Sequence, residues 1–380
     1  FRKTASRCCR PEHTLALPPA QRAERQSEGG NALDKQTPYK SYGEIHEQYI
    51  QLRQTAQYIQ SQKDAILHFF ETGTEIVYLA CGSSYWMSLS AKSTMRVRAK
   101  RKSYAIKAGD VLLNPDEFQS LFENPVFVCP SRSGSTSEVI EAIKILKNFY
   151  PNARLLSLVE YEHSTLESVS DLCLRLPWAN EQSVCQTRSF SCLYLANILI
   201  AGMLGGESIL EEQVQRYLSL APQYYERDIP VLKSIVEQEK MDKLICLGSG
   251  TQYGVCIEGA YIVIEVVEYA SQYFQMLEYR HGPIVLTDAS TLVFMVSSRQ
   301  SKPYEGKVIS EITRAHGKVY LVSTQANPDA SHTFLVEEEF CDEIVALHFV
   351  FCLQSIAYRT AVHLGRNPDC PGSLTPFIEL

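Results

Sequence analysis

The fold is decided at Val126-Phe-Val-Cys-Pro-Ser131-Arg132-Ser133-Gly134-Ser135-Thr136-Ser-Glu-Val-Ile-Glu-Ala-Ile-Lys-Ile-Leu146. A short apolar run stops, hydroxyls crowd a turn with one glycine, and an apolar pattern of helical spacing begins at Val139. Strand, turn and helix in that order belong to a parallel α/β sheet. The helix start leaves backbone N–H groups unpaired and carries partial positive charge, which suits an anion. Gly134 permits a tight turn and a close approach of ligand to backbone. Ser131, Ser133, Ser135 and Thr136 can hydrogen-bond phosphate oxygens without bringing charge. The same residues also suit an ordinary capped helix start after a buried strand. From this segment alone both readings stand.

Outward from this stretch the chain alternates helix and strand. Tyr42 to Phe70 reads as a helical pair or one long helix, Glu75 to Cys81 as a strand, and Tyr85 to Val97 as a helix. Short strands are expected near Ser103–Ile106, Leu155–Val159 and Leu172–Leu174, with a helix over Ser137–Asn148 and a helical piece near Leu166. The rhythm then repeats. Ile76-Val-Tyr-Leu-Ala-Cys-Gly82-Ser-Ser84-Tyr85 is similar to Leu244-Ile-Cys-Leu-Gly-Ser-Gly250-Thr-Gln252-Tyr253, 168 residues on. Val126 to Arg132 is similar to Leu292 to Arg299, with the arginines 167 apart. Two matches at nearly one offset argue for a duplicated unit. The helical stretch Glu207–Glu239 would link the copies. The second has Gln300-Ser301 where the first has Ser133-Gly134, so the phosphate pocket is expected in the first copy.

The 380 residues are 45% hydrophobic and 21% charged, enough for a core shared among two or three domains. A net charge of -7 gives no basic footprint for nucleic acid. Twelve cysteines, with no CxxC pair, read as reduced thiols of a cytoplasmic protein. The longest apolar stretch, Cys192 to Leu204, contains Asn197 and is too short to span a bilayer, so no membrane partner is expected. The chain begins with Phe, and residues 1–40 are rich in Arg, Pro, Gln and Gly; they read as a disordered or non-native extension.

A second constellation lies in the second copy. Glu258 and Glu265 are seven apart and fall close to one helix face. Glu265 sits in Ile262-Val-Ile-Glu-Val-Val, where a carboxylate is costly unless paired or functional. Such a group tends to a raised pKa and can move a proton. His281 precedes Gly-Pro, which holds its ring on a turn. A narrow exposed helix face would also explain Glu265, and a satisfied loop histidine would explain His281. No histidine stands in metal-ligand spacing.

Together these residues resemble the sugar isomerase (SIS) family in its double-domain form. The matching pieces are Cys81-Gly-Ser-Ser84, Ser131–Thr136, Glu181-Gln-Ser-Val184-Cys-Gln-Thr-Arg-Ser-Phe190, Glu258-Gly-Ala with Glu265, Glu278-Tyr-Arg-His-Gly-Pro283, and Asn367–Pro376. The branch it resembles holds the tagatose-6-phosphate ketose/aldose isomerase-like proteins, which include amino-sugar-phosphate deaminases. The isomerase half of glucosamine-6-phosphate synthase and the fructoselysine-6-phosphate deglycases are relatives. The resemblance implies two tandem doubly wound parallel-sheet, flavodoxin-like SIS domains with a helical N-terminal lead-in, over residues 41–206 and 207–380. It implies that Ser84, Ser131, Ser133 and Thr136 hold a sugar phosphate. Gly82, Arg132, Gly134, Ser135, Val184 and Glu258 would shape the pocket. Glu265 would shuttle a proton between C1 and C2, and His281 would open the sugar ring from a partner subunit of a homodimer. No metal and no cofactor are implied. Where the synthase has a Lys one turn before its catalytic Glu, this chain has Ile262; where the synthase has its tail Lys, this chain has Pro376. No glutaminase domain is expected before the match. Glutamine-dependent amination is therefore not expected. Deamination, deglycation and isomerisation stay open, as does a sugar-phosphate-sensing regulator without turnover.

Overall fold

The computed structural model describes residues 39–372, 374 and 380. It has two five-stranded sheets, parallel throughout. The first contains β1 (Glu75–Ala80), β2 (Lys102–Lys107), β3 (Pro125–Ser131), β4 (Arg154–Val159) and β5 (Leu172–Arg175), in the order β2-β1-β3-β4-β5. The second contains β6 (Lys243–Gly248), β7 (Ser271–Gln275), β8 (Thr291–Val296), β9 (Lys318–Ser323) and β10 (His332–Leu335), in the order β7-β6-β8-β9-β10. The orders are the same, as duplication requires. Central strands β1, β3, β6 and β8 are all but wholly buried, and they are the runs that read as apolar without alternation.

The expected lead-in helix is three short ones: α1 (Lys40–His46), α2 (Gln48–Ser61) and α3 (Lys63–Phe69). Between the strands of the first sheet lie α4 (Gly82–Arg98), α5 (Ala108–Leu113), α6 (Ser137–Phe149) and α7 (Thr165–Val169). Then come α8 (Arg188–Gly205) and α9 (Ser208–Gln238). The second sheet carries α10 (Tyr253–Val267), α11 (Lys302–Arg314) and α12 (Asp342–His363). The extension expected over 1–40 lies, for residues 1–38, outside the described residues. Lys40 is a correction: it already belongs to α1, because its backbone N–H bonds the Asp369 carboxylate at 2.8 Å. α8 and α12 are long and apolar enough to cross a membrane, but 78% and 100% of their apolar windows are buried in the protein.

The boundary expected at 206/207 falls on the turn where α8 ends. Gly206 is left-handed there (φ 68°), and the Glu207 N–H caps the Gly202 carbonyl at 3.0 Å. One apolar core runs across this boundary. It joins the inner faces of both sheets through α4, α8, α10 and α12. Smaller clusters fill the outer faces of each sheet. The tightest crossing is α10 on α4. A Cβ on Gly254 would stand 2.0 Å from the Trp86 carbonyl oxygen and 2.8 Å from the Ser90 nitrogen. The neighbouring Val255 N–H donates to Ser90 Oγ at 3.2 Å. On the other side of α10, a Cβ on Gly259 would meet Leu353 of α12 at 2.0 Å.

Gly254→Ala therefore puts a methyl against backbone that cannot swing away. It is expected to lower unfolding free energy by about 3 kcal/mol or more, read by chemical denaturation. A stability within error of the parent would mean that the helices part without cost.

Candidate active site

In doubly wound sheets ligands bind at the carboxyl ends of the strands, where the strand order reverses. In the first sheet that point lies between β1 and β3. A cavity of about 220 Å³ opens there. It is lined by Cys81, Gly82, Ser83 and Ser84 after β1, and by Ser131, Arg132, Ser133, Thr136 and Glu138 after β3. Val184, Cys185 and Gln186 come from the loop before α8, Glu265 from α10, and Leu374 from the C-terminal segment.

Two helix starts, of α4 and α6, aim at this cavity and favour an anion. At the second of them Gly134 is left-handed (φ 62°), and a Cβ there would lie 2.4 Å from Ser164 Oγ. Ser131 Oγ accepts the Gly134 N–H at 3.0 Å, and Ser133 Oγ accepts the Ser135 N–H at 3.2 Å. Each oxygen so held keeps its own O–H to donate. Thr136 is the N-cap of α6, yet its hydroxyl makes no capping bond. All three residues line the cavity, where their hydroxyls are able to donate. Ser135 is different: it is exposed, and its hydroxyl accepts the Thr165 N–H at 3.5 Å.

The loop over 181–187 is tied from several sides. Glu181 accepts Thr187 N–H at 2.9 Å and Thr187 O–H at 2.6 Å. Glu44 of α1 accepts the Gln182 N–H at 2.5 Å, and the Asp369 carbonyl accepts the Val184 N–H at 2.9 Å. Asp369 in turn takes Ser41 N–H at 2.9 Å and Ser41 O–H at 2.6 Å. The lead-in helix thus braces the pocket wall, a role that the sequence reading did not assign to it.

Glu265 and Glu258 form a pair of carboxyl groups on α10. Burial pushes Glu265 upward, and the Cys185 thiol hydrogen bond and the Arg132 charge oppose it. Glu258, only 3% exposed, is pushed well above the carboxylate range by burial and then by the Glu265 charge. Its Oε2 has no hydrogen-bond partner. Both carboxyl groups are thus harder to ionise than a free one.

Of the residues expected at the site, Gly82, Ser84, Ser131, Arg132, Ser133, Thr136, Val184 and Glu265 line one cavity. Gly134 and Ser135 shape the turn without lining it, and Glu258 lies buried beside Glu265. His281 lies elsewhere: it is exposed on the turn after Glu278–Arg280 and does not line the cavity of its own chain. Cys81, Ser83, Glu138 and Leu374 also line the cavity and were not foreseen as site residues. Cys185 and Gln186 are the neighbours of Val184 expected to shape the pocket with it.

The corresponding turn of the second sheet is closed by the chain itself. Ser301 O–H and Ser297 O–H both donate to Glu305 Oε1, at 2.5 and 2.6 Å. The Arg299 N–H donates to Asp342 Oδ1 at 2.9 Å. Glu305, 4% exposed, occupies the place that Glu138 has in the first copy, 167 residues earlier. Glu138 instead faces the Cys81 thiol.

Comparison with known proteins agrees with this architecture. The SIS domain model matches residues 238–364, the second of the two sheets and its helices. The glutamine–fructose-6-phosphate aminotransferase (isomerizing) of Helicobacter pylori is 25% identical over 329 residues, 82% of this chain and 53% of that protein. The chain spans about half the length of the curated relatives it matches. A glucosamine-6-phosphate deaminase from Thermotoga maritima superposes with a TM-score of 0.72 at 28% identity, covering 86% of this chain and 99% of that one. The tagatose-6-phosphate ketose/aldose isomerase of Escherichia coli gives 0.79 at 19% identity, over 90% and 96%. The class shared by these matches is the phosphosugar isomerase-like α/β fold.

Gly134→Ala is expected to strain the turn by about 1–3 kcal/mol and to abolish binding of inorganic phosphate, measured by calorimetric titration. Unchanged phosphate binding would separate this turn from anion recognition.

Proposed function

We propose that this chain is a phosphosugar isomerase or amino-sugar-phosphate deaminase, cytosolic and dimeric, in which both halves are SIS domains with divided roles. The first holds the substrate phosphate and the second moves the proton. The observation that carries this reading is that the serine turn and Glu265 share one cavity, although they come from different sheets. The names of its relatives, which concern fructose-6-phosphate, glucosamine-6-phosphate and tagatose-6-phosphate, support a hexose phosphate as ligand.

In this reading Ser84, Ser131, Ser133 and Thr136 donate to the phosphate at the two helix starts. His281 of a second subunit opens the sugar ring. The exposed Val285 and Leu286 beside it, 82% and 45% accessible, favour such docking. Glu265, as carboxylate, takes the C2 proton of the open-chain aldose and returns it to C1. With a 2-hydroxyl the intermediate is an enediol and the product a ketose. With a 2-amino group it is an enolamine, which becomes a ketimine on protonation at C1. Water then adds to C2, and ammonia leaves. Ile262, buried in the core one turn before Glu265, offers no lysine at that place for an enzyme imine.

Glu265→Gln should lower turnover by about a hundredfold to ten-thousandfold, with sugar-phosphate binding retained. The panel to use contains amino-sugar, fructosamine and simple hexose phosphates, with ammonia, amine and ketose scored separately. Turnover that survives the substitution removes Glu265 from the chemistry. Ser133→Ala with Thr136→Ala should weaken phosphorylated sugars and spare free ones; equal losses would count against the phosphate role. The base must be ionised to act, and burial raises it. Activity is therefore lost as pH falls, and kcat/KM should fade above the ordinary carboxylate range rather than within it.

A further inference from the structure

Arg132 belongs to the serine turn, but its side chain is only 4% exposed and Nη1 lies 3.8 Å from Glu181 Oε1. Behind it, Glu160 is buried and accepts the Ser189 O–H at 2.8 Å. Burial and the Glu181 charge push Glu160 well above the carboxylate range. On this side Glu181 stands at ion-pair distance from Arg132, and Arg132 also lines the cavity that holds Glu265. A buried guanidinium in a low-dielectric wall acts over several ångströms.

The groups that face Glu265 come from three directions. Glu258 and Tyr261 share its helix, Cys185 reaches it from the loop before α8, and Arg132 acts on it from the turn. Arg132 itself is faced by Glu181 and Glu160, with Tyr161 and Arg188 close to that group. Arg132 is the cation among these that opposes the burial of Glu265. The phosphate, by contrast, is served by neutral hydroxyls and backbone N–H groups.

We propose that Arg132 is a positioning residue for proton transfer: held by Glu181 behind the serine turn, it supplies the positive charge against which Glu265 stands as a carboxylate, and it does not clamp the phosphate. The proposal rests on the reading of Glu265 as the base.

The test compares the parent with Arg132→Gln and Arg132→Lys. With the phosphosugar that the parent turns over, Arg132→Gln should lose on the order of tenfold in kcat/KM near neutral pH, regained as pH rises. Arg132→Lys should restore most of it, and competition by inorganic phosphate should be unchanged. A pH profile that stays in place while inorganic phosphate binds on the order of tenfold more weakly would make Arg132 a phosphate clamp and overturn the proposal. If Arg132→Gln fails to fold with Glu181 left unpaired, Arg132→Gln/Glu181→Gln removes both charges together and is expected to show the same displaced profile. A readout without turnover keeps the two readings apart. The Glu265 carboxyl, followed by 13C NMR and assigned with Glu265→Gln, should titrate at higher pH in the Arg132→Gln protein. If the parent turns over no phosphosugar, the enzyme reading fails and this titration still decides the role of Arg132. An unmoved titration overturns it.

Discussion

The crossing of α10 over α4 is the contact on which the rest depends. Gly254 lets the second half reach the Trp86 backbone of the first, closer than any side chain would allow. From that crossing α10 runs past the open end of the first sheet and delivers Glu265 to a cavity built from β1 and β3. The same approach buries Glu258 and shields Glu265, which makes their carboxyl groups harder to ionise. Packing and acid–base chemistry here have one cause. A looser crossing would leave two intact sheets and no composite site.

The cavity solves an electrostatic problem. In the proposed reading it takes a phosphate while a carboxylate stands in the same space. Arg132 and Gln186 line it, beside hydroxyls and helix starts whose partial charges fall off within a turn. In that reading these partial charges would attract a nearby phosphate without neutralising a more distant carboxylate. Behind the wall Arg132 stands 3.8 Å from Glu181, and burial pushes Glu160 well above the carboxylate range.

Much of this was legible in the sequence. The central strands announced themselves as apolar runs, the serine turn as a break between two periodicities, and the repeat as two matches at one offset. Glu265 stood out because a carboxylate in a valine–isoleucine stretch is costly. The partners of those residues were not legible. Glu44 bracing the pocket loop, and Asp369 anchoring Ser41, join segments more than a hundred residues apart. Such contacts leave no local period. The three-helix form of the lead-in was likewise hidden, since the breaks at Glu47 and Gln62 carry neither glycine nor proline. The position of His281 outside its own cavity depends on the path of the turn, and motif spacing does not fix that path.

The closed turn of the second half has a thermodynamic consequence. Glu305 is a ligand tethered to its own receptor, so its occupancy does not depend on any concentration in solution. The first turn has no such tethered group among the described residues, and in the proposed reading it would be stabilised only in proportion to the abundance of the anion it takes. The two halves are therefore coupled to their surroundings unequally. In the proposed reading, an isotherm for phosphate would therefore count one site per chain despite the duplicated fold.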